Sequence, residues 1–344
     1  MFTSYVEVTT SILFNKYVYM NINKVWKYIK NCSISLLLLM FFFAPSFSQS
    51  DLSIGIAPVS QTLKLSPGEI YSDEIVYWNT SQTVNTYKVF VSGFTQIENQ
   101  PGTAVILTPE DDAKAPYSAS KWVTVDKDTL TLEPNKNVKL KYTITVPKDV
   151  TNGEYNVEIF LISESDFAQA GTAAFTNLAS GTPILIQIGD EFVENAELLK
   201  FITDKDIYEK INVKFLTRLK NIGDTHIKPT GEIVIENIFG KKVATIPFNK
   251  TSQSLMRDTI GDYEDNWSQS SYISPNKAIA VGPMTAKLIV TYRSYQPGFA
   301  VLEAETTFWI IPWKIIIAIL LVIILIIAYN IYRKNNKKKK NEIH

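Results

Sequence analysis

Val138-Lys139-Leu140-Lys141-Tyr142-Thr143-Ile144-Thr145-Val146 alternates apolar and polar residues without a break. Successive side chains of a strand point to opposite faces, so this run has one buried face and one wet face. The same period recurs on either side of it. Tyr155, Val157, Ile159 and Leu161 follow the turn signal Asn152-Gly153, and Tyr87, Val89 and Val91 come earlier. Segments 52–57, 62–65, 70–78, 122–125, 129–132 and 182–188 read as further strands, punctuated by Pro58, Pro67-Gly68, Pro134-Asn135 and Pro147. Many short strands separated by turn residues predict an all-β, immunoglobulin-like sandwich over residues 49–190.

Residues 191–199 read as a connector, after which alternation resumes. Ile211, Val213, Phe215 and Leu219 share one face, and Asn212, Lys214, Arg218 and Lys220 share the other. Segments 231–238, 242–248, 278–282, 286–295 and 300–310 supply more strands, which predicts a second, tandem β-sandwich over 195–308. Between them, 251–275 reads as a loop that is long for a sandwich, and long loops are where binding surfaces tend to sit.

Two apolar segments flank this region. Lys24, Lys27 and Lys30 precede the run from Ile34 to Phe43, and small residues follow at Ser46 and Ser48. This is the pattern of a signal peptide within residues 1–48, with Met20 as the expected start of translation and the mature chain beginning near Gln49. The only cysteine, Cys32, lies before the apolar core and would be lost on cleavage. A secreted chain without a disulfide suits a bacterial surface better than an animal one.

The second segment, from Ile310 to Tyr332, is long enough to span a bilayer as a helix, with Trp309, Trp313, Tyr329 and Tyr332 at its two interfaces. Arg333, Lys334 and Lys337 to Lys340 follow within the tail, 333–344, and place it in the cytoplasm under the positive-inside rule.

The zero net charge conceals an asymmetry, because residues 49–308 hold 23 Lys and Arg against 32 Asp and Glu. An acidic ectodomain does not suit nucleic acid, whose affinity comes from neutralising phosphates.

Several motifs resemble those of WxL-interacting-type bacterial cell-surface proteins. In the first sandwich they are Pro67-Gly68-Glu69, Lys121-Trp122-Val123, Leu130-Thr131-Leu132-Glu133-Pro134, Val146-Pro147 and Asn152-Gly153-Glu154-Tyr155. In the second they are Leu219 through Gly231 and Phe239-Gly240-Lys241, with Trp309-Ile310-Ile311-Pro312-Trp313-Lys314 at the membrane. The resemblance implies a peptidoglycan-binding-like and a host-binding-like immunoglobulin-like domain on a membrane anchor. It assigns no ligand-contacting residue.

Residues for catalysis are scarce. His226 is the one histidine of the ectodomain, His344 ends the tail, and there is no Gly-x-Ser-x-Gly elbow, so zinc sites and Cys-His or Ser-His nucleophiles are not expected. Asp111-Asp112, Asp204 with Asp206, and Asp262, Glu264 and Asp265 are sequence neighbours rather than carboxylates opposed across a cleft. The last group offers oxygen ligands for calcium, but its spacing matches no loop motif.

The expectation is therefore a non-enzymatic, membrane-anchored surface protein without cofactor or metal. It would bind cell-wall polymer or partner surface proteins. The alternatives are a scaffold or chaperone-like subunit of an envelope assembly and an accessory module of a carbohydrate-active enzyme. The residues expected to bind lie in the 251–275 loop: Trp267 as an exposed aromatic anchor, with Tyr263, Arg257, Asp262 and Asp265 around it.

Overall fold

The computed structural model describes residues 54–170, 180–275, 277–292 and 300–341. The expected signal peptide, Cys32 and His344 lie outside the described residues. The described chain is mostly β, with one long apolar helix at its C-terminal end.

In the first sandwich, strands β1 (Ile54–Ala57), β2 (Gln61–Leu65), β3 (Ile70–Asn79) and β4 (Asn85–Ser92) are followed by a hairpin of β5 (Phe94–Gln96) and β6 (Ala104–Ile106). A short helix α1 (Pro109–Asp112) leads to β7 (Val123–Val125), β8 (Thr129–Leu132), β9 (Asn137–Thr145) and β10 (Gly153–Ser163), then to helix α2 (Glu164–Ala170) and β11 (Ser180–Ile188). One sheet has the order β1-β3-β9-β7 and the facing one β2-β11-β10-β4-β8. The second sandwich contains β12 (Ala196–Thr203), β13 (Ile207–Tyr208), β14 (Asn212–Asn221), β15 (Thr230–Asn237), β16 (Lys242–Phe248), β17 (Ile260–Ser268), β18 (Gly282–Thr291) and β19 (Val301–Ile310). Its sheets are β12-β14-β17 and β13-β19-β18-β15-β16.

The two sandwiches share one wiring. In each, the first stretch of chain is split between the sheets, and its second half pairs in parallel with the last strand, β2 with β11 and β13 with β19. This is an immunoglobulin-like arrangement.

The alternation read from the sequence becomes the core. Leu140, Tyr142 and Ile144 of β9 are buried with Ile75 and Tyr77 of β3 against Val157, Ile159 and Leu161 of β10 and Ile184 and Ile186 of β11. In the second sandwich Val213, Phe215 and Leu219 of β14 face Met284, Ala286 and Leu288 of β18 and Phe308 and Ile310 of β19. Fully burying one such aliphatic or aromatic side chain contributes about 2 kcal/mol, so these faces carry the fold.

Four local expectations are corrected. Ser120–Trp122 forms a 3-10 turn rather than the start of a strand, and the Trp122 ring packs 4.7 Å from that of Tyr155. The connector expected at 191–199 is shorter, because β12 begins at Ala196; its period is interrupted by a register shift between Leu198 and Lys200. No strand forms over 278–282, where Ile279 makes only a single bridge to Ile273 before β18 begins at Gly282. Ile310 belongs to β19 and is buried in the core, so the long helix α3 (Trp313–Asn341) begins past Pro312 instead. Its stretch Trp313–Lys334 is long and apolar enough to cross a membrane, and none of that stretch is buried against the protein.

Candidate functional site

The place where the chain gathers polar chemistry is the junction of the two sandwiches, on the outer face of the sheet that contains β10. Strand parity puts Val157, Ile159 and Leu161 of β10 into the core and turns Glu154, Asn156 and Glu158 to the other side. That outer face is covered rather than wet. The β5–β6 hairpin folds across it, Asn156 Oδ1 accepting from the Phe94 backbone N–H at 2.9 Å, and the second sandwich closes over its end.

Glu154 is the centre of the contact. Its carboxylate is almost fully buried and accepts from Thr225 Oγ1 at 3.1 Å, from the His226 backbone N–H at 3.2 Å and from Gln187 Nε2 at 3.2 Å. His226 Nδ1 lies 2.7 Å from its Oε2. Burial pushes the Glu154 carboxyl upward, but the His226 imidazole and the donors from Gln187 and Thr225 outweigh it, and the group sits below its ordinary value. Glu158, on the same strand and without such donors, is pushed up to about 7 by burial.

Backbone contacts continue the seam. The Glu154 N–H donates to Asp224 O at 2.8 Å, and the Gly102 N–H to Ser254 O at 2.8 Å. Gln96 Nε2 donates to Ile260 O at 2.8 Å, while its Oε1 accepts from the Met256 N–H. The Arg257 guanidinium stacks 3.9 Å from the centre of the Tyr117 ring, whose hydroxyl donates to Asp258 at 2.6 Å. The Tyr117 hydroxyl titrates above its ordinary range, chiefly because of that bond to Asp258.

Beside this seam lies a cleft of about 340 Å³ with walls from both sandwiches. Phe94, Pro183, Leu185 and Met256 supply apolar surface, and Gln61, Thr62, Glu154, His226, Lys228 and Ser254 supply polar groups. Thr62 lies on β2, the edge strand of its sheet. The cleft is of the size and mixed character of a recognition pocket. Among the described residues no group of three or more His, Cys, Asp or Glu is arranged to hold a metal ion.

The binding residues expected in a 251–275 loop are placed differently. The segment contains β17, nine residues paired along their length with β14. Tyr263 and Trp267 point into the second core, 1% and 3% exposed, so Trp267 is not an exposed anchor. Its ring meets Phe308 edge-on at 6.4 Å. Asp265 faces inward with them, accepts from the Asn249 N–H at 3.2 Å, and is raised by burial to about 6. Asp262 faces outward in a bidentate pair with Arg218, both bonds 2.6 Å long. Of the expected set, Arg257 brings its side chain to the junction and Asp262 only its backbone N–H, which donates to Asn99 O at 3.0 Å. The residues missed were Glu154 and His226, 72 positions apart. The available signals were a glutamate on an alternating strand and the one histidine of the region.

No family model matches this chain, and no curated protein matches it. Solved structures similar to it include a chaperone and tip-adhesin complex of CFA/I fimbriae, at 12% identity over 74% of this chain and 98% of that one, with a TM-score of 0.37. The complex of CsuC and CsuE from archaic chaperone-usher Csu pili of Acinetobacter baumannii matches at 10% identity over 73% and 97%, TM-score 0.35. The CupB2 chaperone of Pseudomonas aeruginosa matches at 9% over 72% and 98%, TM-score 0.32.

Proposed function

We propose that this chain is a non-enzymatic surface protein, anchored by α3 with its lysine-rich tail in the cytoplasm, that holds a partner polypeptide in the cleft between its sandwiches. It would serve as a scaffold or chaperone-like subunit within an envelope assembly. The observation that carries this reading is the cleft itself, walled by both sandwiches and bordered by the edge strand β2. An edge strand presents backbone groups to an extended segment, and a neighbouring pocket takes one of its side chains. Cell-wall polymer is the other occupant; it is favoured only by the motifs shared with WxL-interacting-type proteins.

Crosslinking of the full chain in its own membranes tests the proposal. A photoreactive residue in place of Leu185 should capture a discrete protein. Ala104→Trp, at an exposed position of the cleft wall, should abolish that capture while leaving the melting temperature unchanged. Sedimentation with purified wall polymer by both forms alike, with no captured protein, would overturn it. The anchor has its own test: protease added to intact, wall-stripped cells should remove residues 49–308 and spare a tag on the tail.

A further inference from the structure

The geometry points to a second membrane contact: the end of the second sandwich from which α3 departs lies against an anionic bilayer surface. This rests on the anchorage proposed above.

Strand directions fix which connections share that end. β19 runs down to Ile310 and pairs there with Gly282 at the start of β18 and with Tyr208 of β13. β15 ends there at Asn237, opposite Met284, and Lys242 begins β16 beside it. β14 starts there at Asn212, opposite Ser268. The 203–211 connection, the 237–242 hairpin turn and the 268–282 connection therefore surround the exit of the helix.

They are also tied to one another and to the helix. Trp313 Nε1 donates to Glu209 Oε2 at 3.0 Å, and Lys314 Nζ lies 2.8 Å from Glu209 Oε1. Tyr272 donates its hydroxyl proton to Glu209 O at 2.7 Å, and Asn237 Nδ2 donates to Ile279 O at 3.1 Å. The start of the helix and the three connections thus form one plate.

That plate is apolar where it should be wet. Ile207, Ile238, Phe239, Ile273 and Ile279 are 60%, 65%, 80%, 59% and 55% exposed, with Phe239 at the tip of a tight turn made by Gly240 at φ +68°. Single exposed apolar side chains are ordinary, but five on the one end that adjoins a bilayer-length helix are not. Lys205, Lys210, Lys241 and Lys277 are exposed among them, in a region of the chain that is otherwise acidic. Of the acidic residues at this end, Glu209 is taken by Lys314, Glu236 pairs with Lys287, Asp204 accepts from the Tyr208 hydroxyl, and Asp206 is exposed beside Lys205. Apolar tips ringed by lysines match the boundary between acyl chains and anionic headgroups, where each lysine strengthens the contact by about fivefold.

The test uses the full chain, with Cys32→Ser, reconstituted in phosphatidylglycerol and phosphatidylcholine vesicles that contain doxyl-labelled lipid. A fluorophore on Ile279→Cys should be quenched, and one on Glu197→Cys, at the opposite end of the sandwich, should not. Phe239→Asp should relieve the quenching at 279 without lowering the melting temperature. Lys241→Glu with Lys277→Glu, or vesicles of phosphatidylcholine alone, should relieve it in part. An unquenched label on protein that resists alkaline carbonate extraction overturns the contact and leaves the anchor standing; extraction by carbonate overturns both. A blue-shifted label without quenching assigns this end to a second copy of the chain and overturns the contact as well.

Discussion

The imidazole Nδ1 of His226 lies 2.7 Å from the carboxylate of Glu154, and the two residues belong to different sandwiches. Both are secluded, with side chains 12% and 4% exposed. Removing the charge while keeping the shape, by Glu154→Gln, should therefore cost about 2 kcal/mol at neutral pH. Calorimetry should show one transition splitting toward two as the sandwiches uncouple. Because the Glu154 carboxyl sits below its ordinary value in the folded chain, its contribution is present above the unfolded value near 4.5 and is lost as pH falls through the folded one. The variant should lack that part of the acid lability. An unchanged melt at pH 7 would remove the pair from the seam.

Asp265 behaves in the opposite sense. Burial raises its carboxyl from 3.8 to about 6, so the folded chain prefers it protonated. Stability should be greatest below about 4 on this account and fall as pH rises through 6, by up to about 3 kcal/mol. Asp265→Asn keeps the acceptor for the Asn249 N–H and removes the ionisation. It should raise the melting temperature at pH 8 and leave it unchanged at pH 4. A variant less stable than the parent at pH 8 would refute this.

Trp267→Ala should cost about 3 to 5 kcal/mol, because the ring is buried against Phe308 and opposite Val213 and the void cannot fully collapse. Chemical denaturation of the full chain in detergent measures it. A loss below about 1 kcal/mol would mean that the indole sits outside the core.

The sequence showed strands where apolar residues marked the inward face at an unbroken period, as in 138–146, and missed β12, whose period is broken by a register shift. It hid β17 because Ile260-Gly261-Asp262-Tyr263-Glu264-Asp265-Asn266-Trp267-Ser268 places Asp265 on the inward face between two aromatics, and aspartate and asparagine are depleted in strands. The pairing with β14 overrides that local preference. Parity also explains why the junction stayed invisible. Outward positions of an alternating strand read as solvated, yet Glu154 and Asn156 are buried by a hairpin and a sandwich supplied from elsewhere in the chain. Nothing within β10 records those partners.

Gly153 offers the sharpest probe of that seam. Its φ of +132° is a conformation that side-chain-bearing residues rarely adopt, costing about 1 to 3 kcal/mol when forced. An added Cβ would also stand 2.5 Å from Arg257 Nη1 and 3.1 Å from Asp224 O, the carbonyl that accepts from the Glu154 N–H. The two penalties separate in a cycle, because Arg257→Ala removes the clashing group and leaves the backbone as it is. Gly153→Ala should destabilise the parent by about 3 kcal/mol, the backbone share plus the clash. In the Arg257→Ala background the loss should shrink to the backbone share and the tight contact with Asp224 O, together about 1 to 2 kcal/mol. Arg257→Ala by itself should cost about 1 kcal/mol through the lost stacking on Tyr117. Strict additivity of the two substitutions would mean that Arg257 does not pack over Gly153, and the stacked geometry across the seam would then have to be abandoned.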